Sequence, residues 1–264
     1  MKGKVGFGGK RMIFKRAVAK LHAQDWGAIL IELGIVILGV FIGTLVANLN
    51  QERLESAETA HRLEQLKPEV KRIQARAAFV RAYYAITHRY ADIAFAGWAR
   101  DPNVSDNEFV IAAYQASQIK AMSTTTESWA NVLGADQMRD IDDPDIRDPL
   151  MRLMTFPAEN LGLNRVMSTY RDEVRSIIPD HAQAKIRKQC GDYFQRPGDL
   201  DLALHTDCPV KLDPVVAART ADELRAHQGL VRALRLHLAL VASQDNDIAI
   251  YSKAAQQLEK ALER

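Results

Sequence analysis

Two hydrophobic patterns divide the chain, and they change over near residue 50. Residues 27–49 read GAILIELGIVILGVFIGTLVANL, an apolar run with one ionisable side chain, Glu32. About 20 apolar positions in helical form are enough to cross a ~30 Å hydrocarbon core. A buried core helix seldom runs so far without a polar face. A cleavable signal peptide has a shorter apolar region, about 7–15 residues, followed by small residues at the cut. Here the exit reads LVANLNQER, with Leu45 where a small residue is wanted if cleavage followed Ala47. The pattern predicts a retained transmembrane signal-anchor over 25–49.

From Gln51 onward apolar residues recur every three or four positions: Leu63, Leu66, Val70, Ile73, Ala77, Val80, Tyr84, Ala91 and Ala94. That is one buried stripe on a helix that continues from the membrane segment. Pro68 predicts a kink or restart, and Asp101-Pro102-Asn103 predicts the end. Unbroken to Trp98, such a helix would extend roughly 70 Å past the bilayer. A second helix is expected from Ser105-Asp106, carrying Phe109, Ala112, Ala113 and Ile119. Thr124-x-x-Glu127 is a capping-box pattern opening a short third helix through Trp129 and Leu133, with Gly134 as its stop. Asp143-Pro144 or Asp148-Pro149 starts the next, each an N-cap followed by proline. Leu161 to Ile178 reads as another amphipathic run (Leu163, Val166, Met167, Tyr170, Val174, Ile177), closed by Pro179. A last long helix is expected from Ala221 to Leu262, with Leu224, Val231, Leu234, Leu238, Val241, Ile248 and Ala255 on its stripe. No stretch shows sustained period-two alternation, so no strand is expected. The fold class is all-α: one N-terminal transmembrane helix continuing into an elongated, antiparallel helical bundle.

Charge gives the anchor a direction. The 264 residues carry 35 Lys/Arg and 33 Asp/Glu, a net charge of +2, too weak to indicate a nucleic-acid partner. Seven of the basic residues (Lys2, Lys4, Lys10, Arg11, Lys15, Arg16, Lys20) precede the first acid, Asp25, whereas 28 basic and 31 acidic residues follow from position 50. Positive charge on the N-terminal flank holds that flank in the cytoplasm, and Trp26 sits where an interfacial aromatic belongs. The division expected is a basic cytoplasmic tail over 1–24, the membrane helix over 25–49, and a translocated domain over 50–264. In a bacterium that compartment is the periplasm. The start MKGKVGFGGKR does not match a phosphate-binding loop, since Lys4 occupies the place of the first glycine and Arg11 follows Lys10. It reads as a polybasic tail suited to anionic lipid, and Met12 offers an alternative start.

Within the membrane run, Gly39 and Gly43 each fall within about 20° of Glu32 on a helical wheel, one on either side. Gly39-Val40-Phe41-Ile42-Gly43 is a GxxxG, extended by Ala47. Small residues at this spacing let two helices approach closely, and an intramembrane acid usually faces protein. Glu32, Gly39, Gly43 and Ala47 are therefore the candidate association face, for a second copy or a membrane-protein partner. No second apolar run follows, so any signal must cross through such a partner.

The segment AKLHAQDWGAILIELGIVILGVFIGTLVANLNQER resembles the opening of a group of uncharacterised proteobacterial single-pass inner-membrane proteins. The matching residues are Gln24, Trp26, Gly39 to Gly43, Asn48, Asn50 and Arg53. Leu49 departs from the group, which has tryptophan there, so the outer interfacial anchor is weaker. A second patch is similar (Thr126, Trp129, Leu133, Gly134, Ile141, Asp145, Arg147, Leu150). The two patches cover about a quarter of the chain. What the resemblance implies is topology and family, with no activity attached.

Chemistry-bearing residues are sparse. Cys190 and Cys208 are the only thiols; beyond the membrane they face an oxidising compartment and are read as a disulfide closing a helix-to-helix loop. The competing reading is a metal site of Cys190, His205 and Cys208 with His181, which would make the protein a periplasmic metal-dependent enzyme. Asp140, Asp142, Asp143, Asp145 and Asp148 fail the EF-hand pattern, because no glycine occupies the sixth position and Pro144 intrudes. The seven histidines (His22, His61, His88, His181, His205, His227, His237) form no H-E-x-x-H. His227, near the apolar stripe, reads as a packing or switch residue. Tyr83, Tyr84 and Tyr90 with His88 and Arg89 are candidates to line a pocket between helices. No catalytic residue, metal or cofactor is assigned. The expectation is a membrane-anchored helical interaction or sensor module acting through oligomerisation and partners, with a structural subunit of an envelope assembly as a further alternative.

Overall fold

In a computed structural model of the protein, residues 26–122, 141–162, 168–195 and 202–264 are described. They contain α1 (Trp26–Trp98), α2 (Asp106–Gln115), α3 (Pro144–Thr155), a 3-10 turn (Ala158–Leu161), α4 (Thr169–Ile177), α5 (Asp180–Cys190), β1 (Tyr193–Phe194), β2 (Leu202–Ala203), α6 (Pro214–Ala226) and α7 (Leu230–Leu262). The basic tail, the helix expected over 124–134, Asp140 and the residues Leu163, Val166 and Met167 lie outside the described set. The chain forms two compact units, Met1–Glu58 and Thr59–Arg264, and α1 contributes to both.

In the first unit α1 carries the apolar run. Its side chains are open to the surroundings, with Leu30 64% and Ile37 59% exposed. This is the one described helix long and apolar enough to cross a membrane. All-round apolarity without burial is the composition a lipid-facing helix requires.

In the second unit α1 changes character. Leu66, Val70, Ala77, Val80, Tyr84, Thr87, Ala91 and Ala94 are buried and spaced alternately by threes and fours, with Ile73 half-buried in the same series. That spacing keeps one seam in contact from Leu66 to Ala94. Pro68 sits inside α1 with no restart. Proline in a helix interior costs about 3 kcal/mol, and the fully buried Leu66 and Val70 on either side anchor the helix through it.

α7 answers with its own seam. Gln74 bonds Glu259 at 2.7 Å, Arg81 pairs with Asp245 at 2.9 Å and Tyr84 meets Gln244 at 3.0 Å, so partners on α7 descend as α1 ascends. At the end of α1 the Trp98 indole N–H donates to the Leu224 carbonyl on α6 at 3.0 Å. There Gly97 admits Phe109 of α2: a Cβ at Gly97 would lie 2.2 Å from the Phe109 ring. The helix closes with Arg100 in the left-handed region, φ 58°, while the Asp101 N–H reaches back to the Ala96 carbonyl at 3.0 Å. This is a C-terminal motif that glycine normally serves.

The expected caps are present. Ser105 and Glu108 form a reciprocal capping box on α2, and Asp143 caps α3 with Pro144 in its first turn. Pro149 lies inside α3 and does not start a helix.

Three expectations are corrected. The last long helix is two, since the chain leaves helical geometry at His227 (φ −83°, ψ 84°) and re-enters at Gly229. His227 is thereby exposed outside any helix, and not on a buried stripe. Second, α5 is an additional helix: Pro179, which ends α4, also precedes the first residue of α5. Third, a two-residue antiparallel ribbon pairs Tyr193 with Ala203 and Phe194 with Leu202. Strands this short carry no alternation to read; tertiary anchoring places them.

Candidate functional site

Glu32, Gly39, Gly43 and Ala47 all lie on α1 and are exposed, and the space a Cβ would take at Gly34, Gly39 or Gly43 is open to 4 Å. Nothing described in the chain packs on this face.

The thiols lie elsewhere. Cys190, fully buried at the end of α5, is bonded to half-buried Cys208 across an 18-residue separation, S–S 2.03 Å. Both sulfurs are thus spent, which removes two ligands from the metal reading of Cys190, His205 and Cys208. His205 instead stacks on Tyr193, ring centroids 4.1 Å apart, and His181 is exposed on the first turn of α5. Among the described residues no group of three or more His, Cys, Asp or Glu side chains is placed to hold a metal.

The tyrosines expected to line a pocket are clamps. Tyr83 donates to Asp192 at 2.8 Å and Tyr90 to the His205 carbonyl at 3.1 Å, while Arg89 reaches the Thr206 carbonyl and Asp207. Together they hold both limbs of the disulfide loop against α1. Burial and the facing Asp192 push the Tyr83 hydroxyl well above its ordinary pKa, and burial pushes Tyr90 up to about 12. Both remain neutral donors at any physiological pH. His88 is exposed, 3.7 Å from Asp92.

Three members of the acidic cluster have separate partners. Asp143 caps α3, Asp145 pairs with Arg264 at 2.6 Å, and Asp148 lies 3.4 Å from Arg147. Two of its carboxylates therefore already face cations.

The most organised polar site is one that apolar counting missed. Seven-residue steps along α7 read Leu230, His237, Gln244, Tyr251 and Leu258, all buried. Two of these five are polar, so the row drops out of any count of apolar residues. Its neighbour, Leu234, Val241, Ile248 and Ala255, is the row the sequence displays. The recoverable signal was the heptad itself: a helix burying one row at this spacing buries the other.

Each polar member is held by groups distant in sequence. Gln244 receives the Tyr84 hydroxyl and donates to the Leu161 carbonyl at 3.0 Å and the Gly162 carbonyl at 3.4 Å. On α2, buried Gln115 donates to the Cys190 carbonyl at 2.7 Å, tying that helix to the disulfide. Beyond the end of α2, Arg171 donates to the Ser117 carbonyl at 2.6 Å, and Arg175 binds the Ser117 hydroxyl and Gln118 with its guanidinium over the Tyr114 ring at 4.8 Å. Cations at a helix C-terminus complement its partial negative charge.

His237 is fully buried. Its Nδ1 is 2.7 Å from the Ser168 hydroxyl and its Nε2 has no hydrogen-bond partner. Burial, with Arg171 opposing further positive charge, lowers its pKa from 6.5 to about 4. A serine hydroxyl on an imidazole at this distance resembles a nucleophile and its base. The chemistry does not follow. An imidazole with a pKa near 4 is a weak base at neutral pH, no carboxylate among the described residues orients its second nitrogen, and the ring is closed off from solvent. The arrangement joins α4 to α7.

No known protein family, curated protein or solved structure matches the chain.

Proposed function

We propose that the protein is a single-pass inner-membrane module of the proteobacterial group its anchor resembles, with its tail in the cytoplasm and residues 50–264 in the periplasm as an elongated antiparallel bundle. It acts by association, through the α1 face of Glu32, Gly39, Gly43 and Ala47, with a second copy or a membrane partner. The observation that carries this reading is the open apolar surface of α1. Leu30, Ile35, Val40 and Phe41 are each more than 60% exposed, a surface that is stable in lipid and costly in water. The bonded Cys190–Cys208 pair is in keeping with an oxidising compartment.

Topology and association are tested separately. A reporter active only outside the cytoplasm should work when fused after Arg264 and fail after Lys20; the reverse pattern overturns the orientation. In a membrane two-hybrid assay, Gly39→Ile should reduce self-association by bulk, and Glu32→Leu by loss of an interhelical contact. Glu32→Gln should matter less, since an amide still bonds across the interface, and a change at lipid-facing Ile37 should be neutral. Equal association of all these variants would reduce the face to ordinary anchor surface.

A further inference from the structure

We propose that His237 is an acid-sensitive latch that fastens the N-terminus of α4 to α7 and releases it when the imidazole takes up a second proton. Ser168 is the residue on which this turns. It occupies the N-cap of α4, yet its side chain makes no capping bond; its hydroxyl lies 2.7 Å from His237 Nδ1 instead. A serine at this position ordinarily accepts from an N–H of the first turn. Ser168 therefore has two competing partners, one on α7 and one in its own helix. The orphan N–H groups of α4 supply the second as soon as the first is withdrawn.

Among the described residues, no carboxylate faces the ring. α4 contributes the Tyr170 ring at 5.7 Å and the guanidinium of Arg171, the one charged group among the described residues that acts on His237, and of the wrong sign. Tyr170 is itself neutral, its hydroxyl given to the Ala113 carbonyl and its pKa raised by burial. The end of α2 contributes the Ala116 carbonyl, which acts weakly in the opposite direction, favouring the protonated ring. On α1, two turns on from the Tyr84–Gln244 pair, stands Ala91, buried, while the nearby His88, Arg89 and Asp92 are exposed. Along α7 itself no acid lies between Leu230 and Gln244. Imidazolium formation thus adds a second cation within reach of Arg171, with no carboxylate among the described residues to offset it. Opening the α4 contact relieves this by admitting water to the ring and returning the Ser168 hydroxyl to its helix.

Hydrogen–deuterium exchange on the full chain in detergent tests the latch, with rates corrected for intrinsic pH dependence. A ring with pKa about 4 when closed and near 6.5 when open favours opening roughly twentyfold more at pH 5 than at pH 7. Exchange across 169–177 should rise by that order. Exchange across α3 (144–155), which packs on the far half of α7, should hold steady. His237→Gln, neutral at every pH, should abolish the rise. If that variant does not fold, Arg171→Gln serves, because removing the facing charge eases protonation of the closed state and should shrink the rise. Three results would each overturn the proposal: no rise in the wild type, an equal rise in α3, or an undiminished rise in whichever variant is measured.

Discussion

Tyr84→Phe isolates the buried polar layer from everything else in the fold. The ring is 3% exposed and phenylalanine keeps its packing, so the substitution removes one oxygen and little more. That oxygen serves three groups: the Lys120 carbonyl, the Gln244 amide oxygen at 3.0 Å, and the Lys120 N–H, which donates back at 3.3 Å. One hydroxyl hydrogen is divided between two acceptors, so its removal leaves two acceptors and one donor short of a partner. A buried polar group left unmatched costs about 1–3 kcal/mol. The partial exposure of Lys120 lets water repair its share, which puts the total near 3 kcal/mol. For a domain of about 200 residues this lowers the Tm by roughly 6–12 °C, read by circular dichroism at 222 nm on the full chain in detergent. The companion variant Gln244→Leu should be mild by itself, near 1 kcal/mol, because the Leu161 carbonyl still accepts from the Met122 N–H at 3.0 Å and a leucine fills most of the space. Combining the two removes both ends of one bond, so the double variant should cost at least 1 kcal/mol less than the sum. Additivity to within about 0.5 kcal/mol, the scatter of independent sites, or a Tyr84→Phe loss below about 0.5 kcal/mol, would refute the claim that Tyr84 and Gln244 form one coupled layer.

Other substitutions probe other links. Reducing the Cys190–Cys208 bond, which closes an 18-residue separation, should cost about 3 kcal/mol through loop entropy; an unchanged Tm in reductant would mean that the tyrosine and arginine clamps alone hold the loop. Gly97→Ala forces a methyl within 2.8 Å of Phe109 Cβ as well as against its ring, so a loss of about 1–3 kcal/mol is expected from overpacking, and a neutral result would refute the close approach of α1 and α2. Arg100→Gly should raise stability by about 0.5–1 kcal/mol, since glycine occupies the left-handed region without steric cost; a lower Tm would assign the Arg100 side chain a contact that outweighs the strain.

By itself the sequence determined what depends on near neighbours. The membrane-length run over 27–49 needs only its own composition. Ser105 and Glu108, or Asp143 and Pro144, cap helices through atoms a few residues apart. The row of Leu234, Val241, Ile248 and Ala255 announces its burial because each member is apolar. Tertiary structure decided everything whose energy is settled by a distant partner. His237 and Gln244 occupy core positions only because Ser168, Tyr84 and the Leu161 carbonyl arrive from 69, 160 and 83 residues away; without them the same side chains belong in water. The break at His227 has the same origin, since α6 packs on α2 and the end of α1 while α7 follows the seam of α1. A two-residue ribbon exists because a disulfide and three α1 side chains hold its limbs together. Apolar burial is favourable against almost any apolar surface, so a one-dimensional pattern encodes it. A buried hydrogen bond is favourable only in one geometry, and that geometry exists only once the chain has folded.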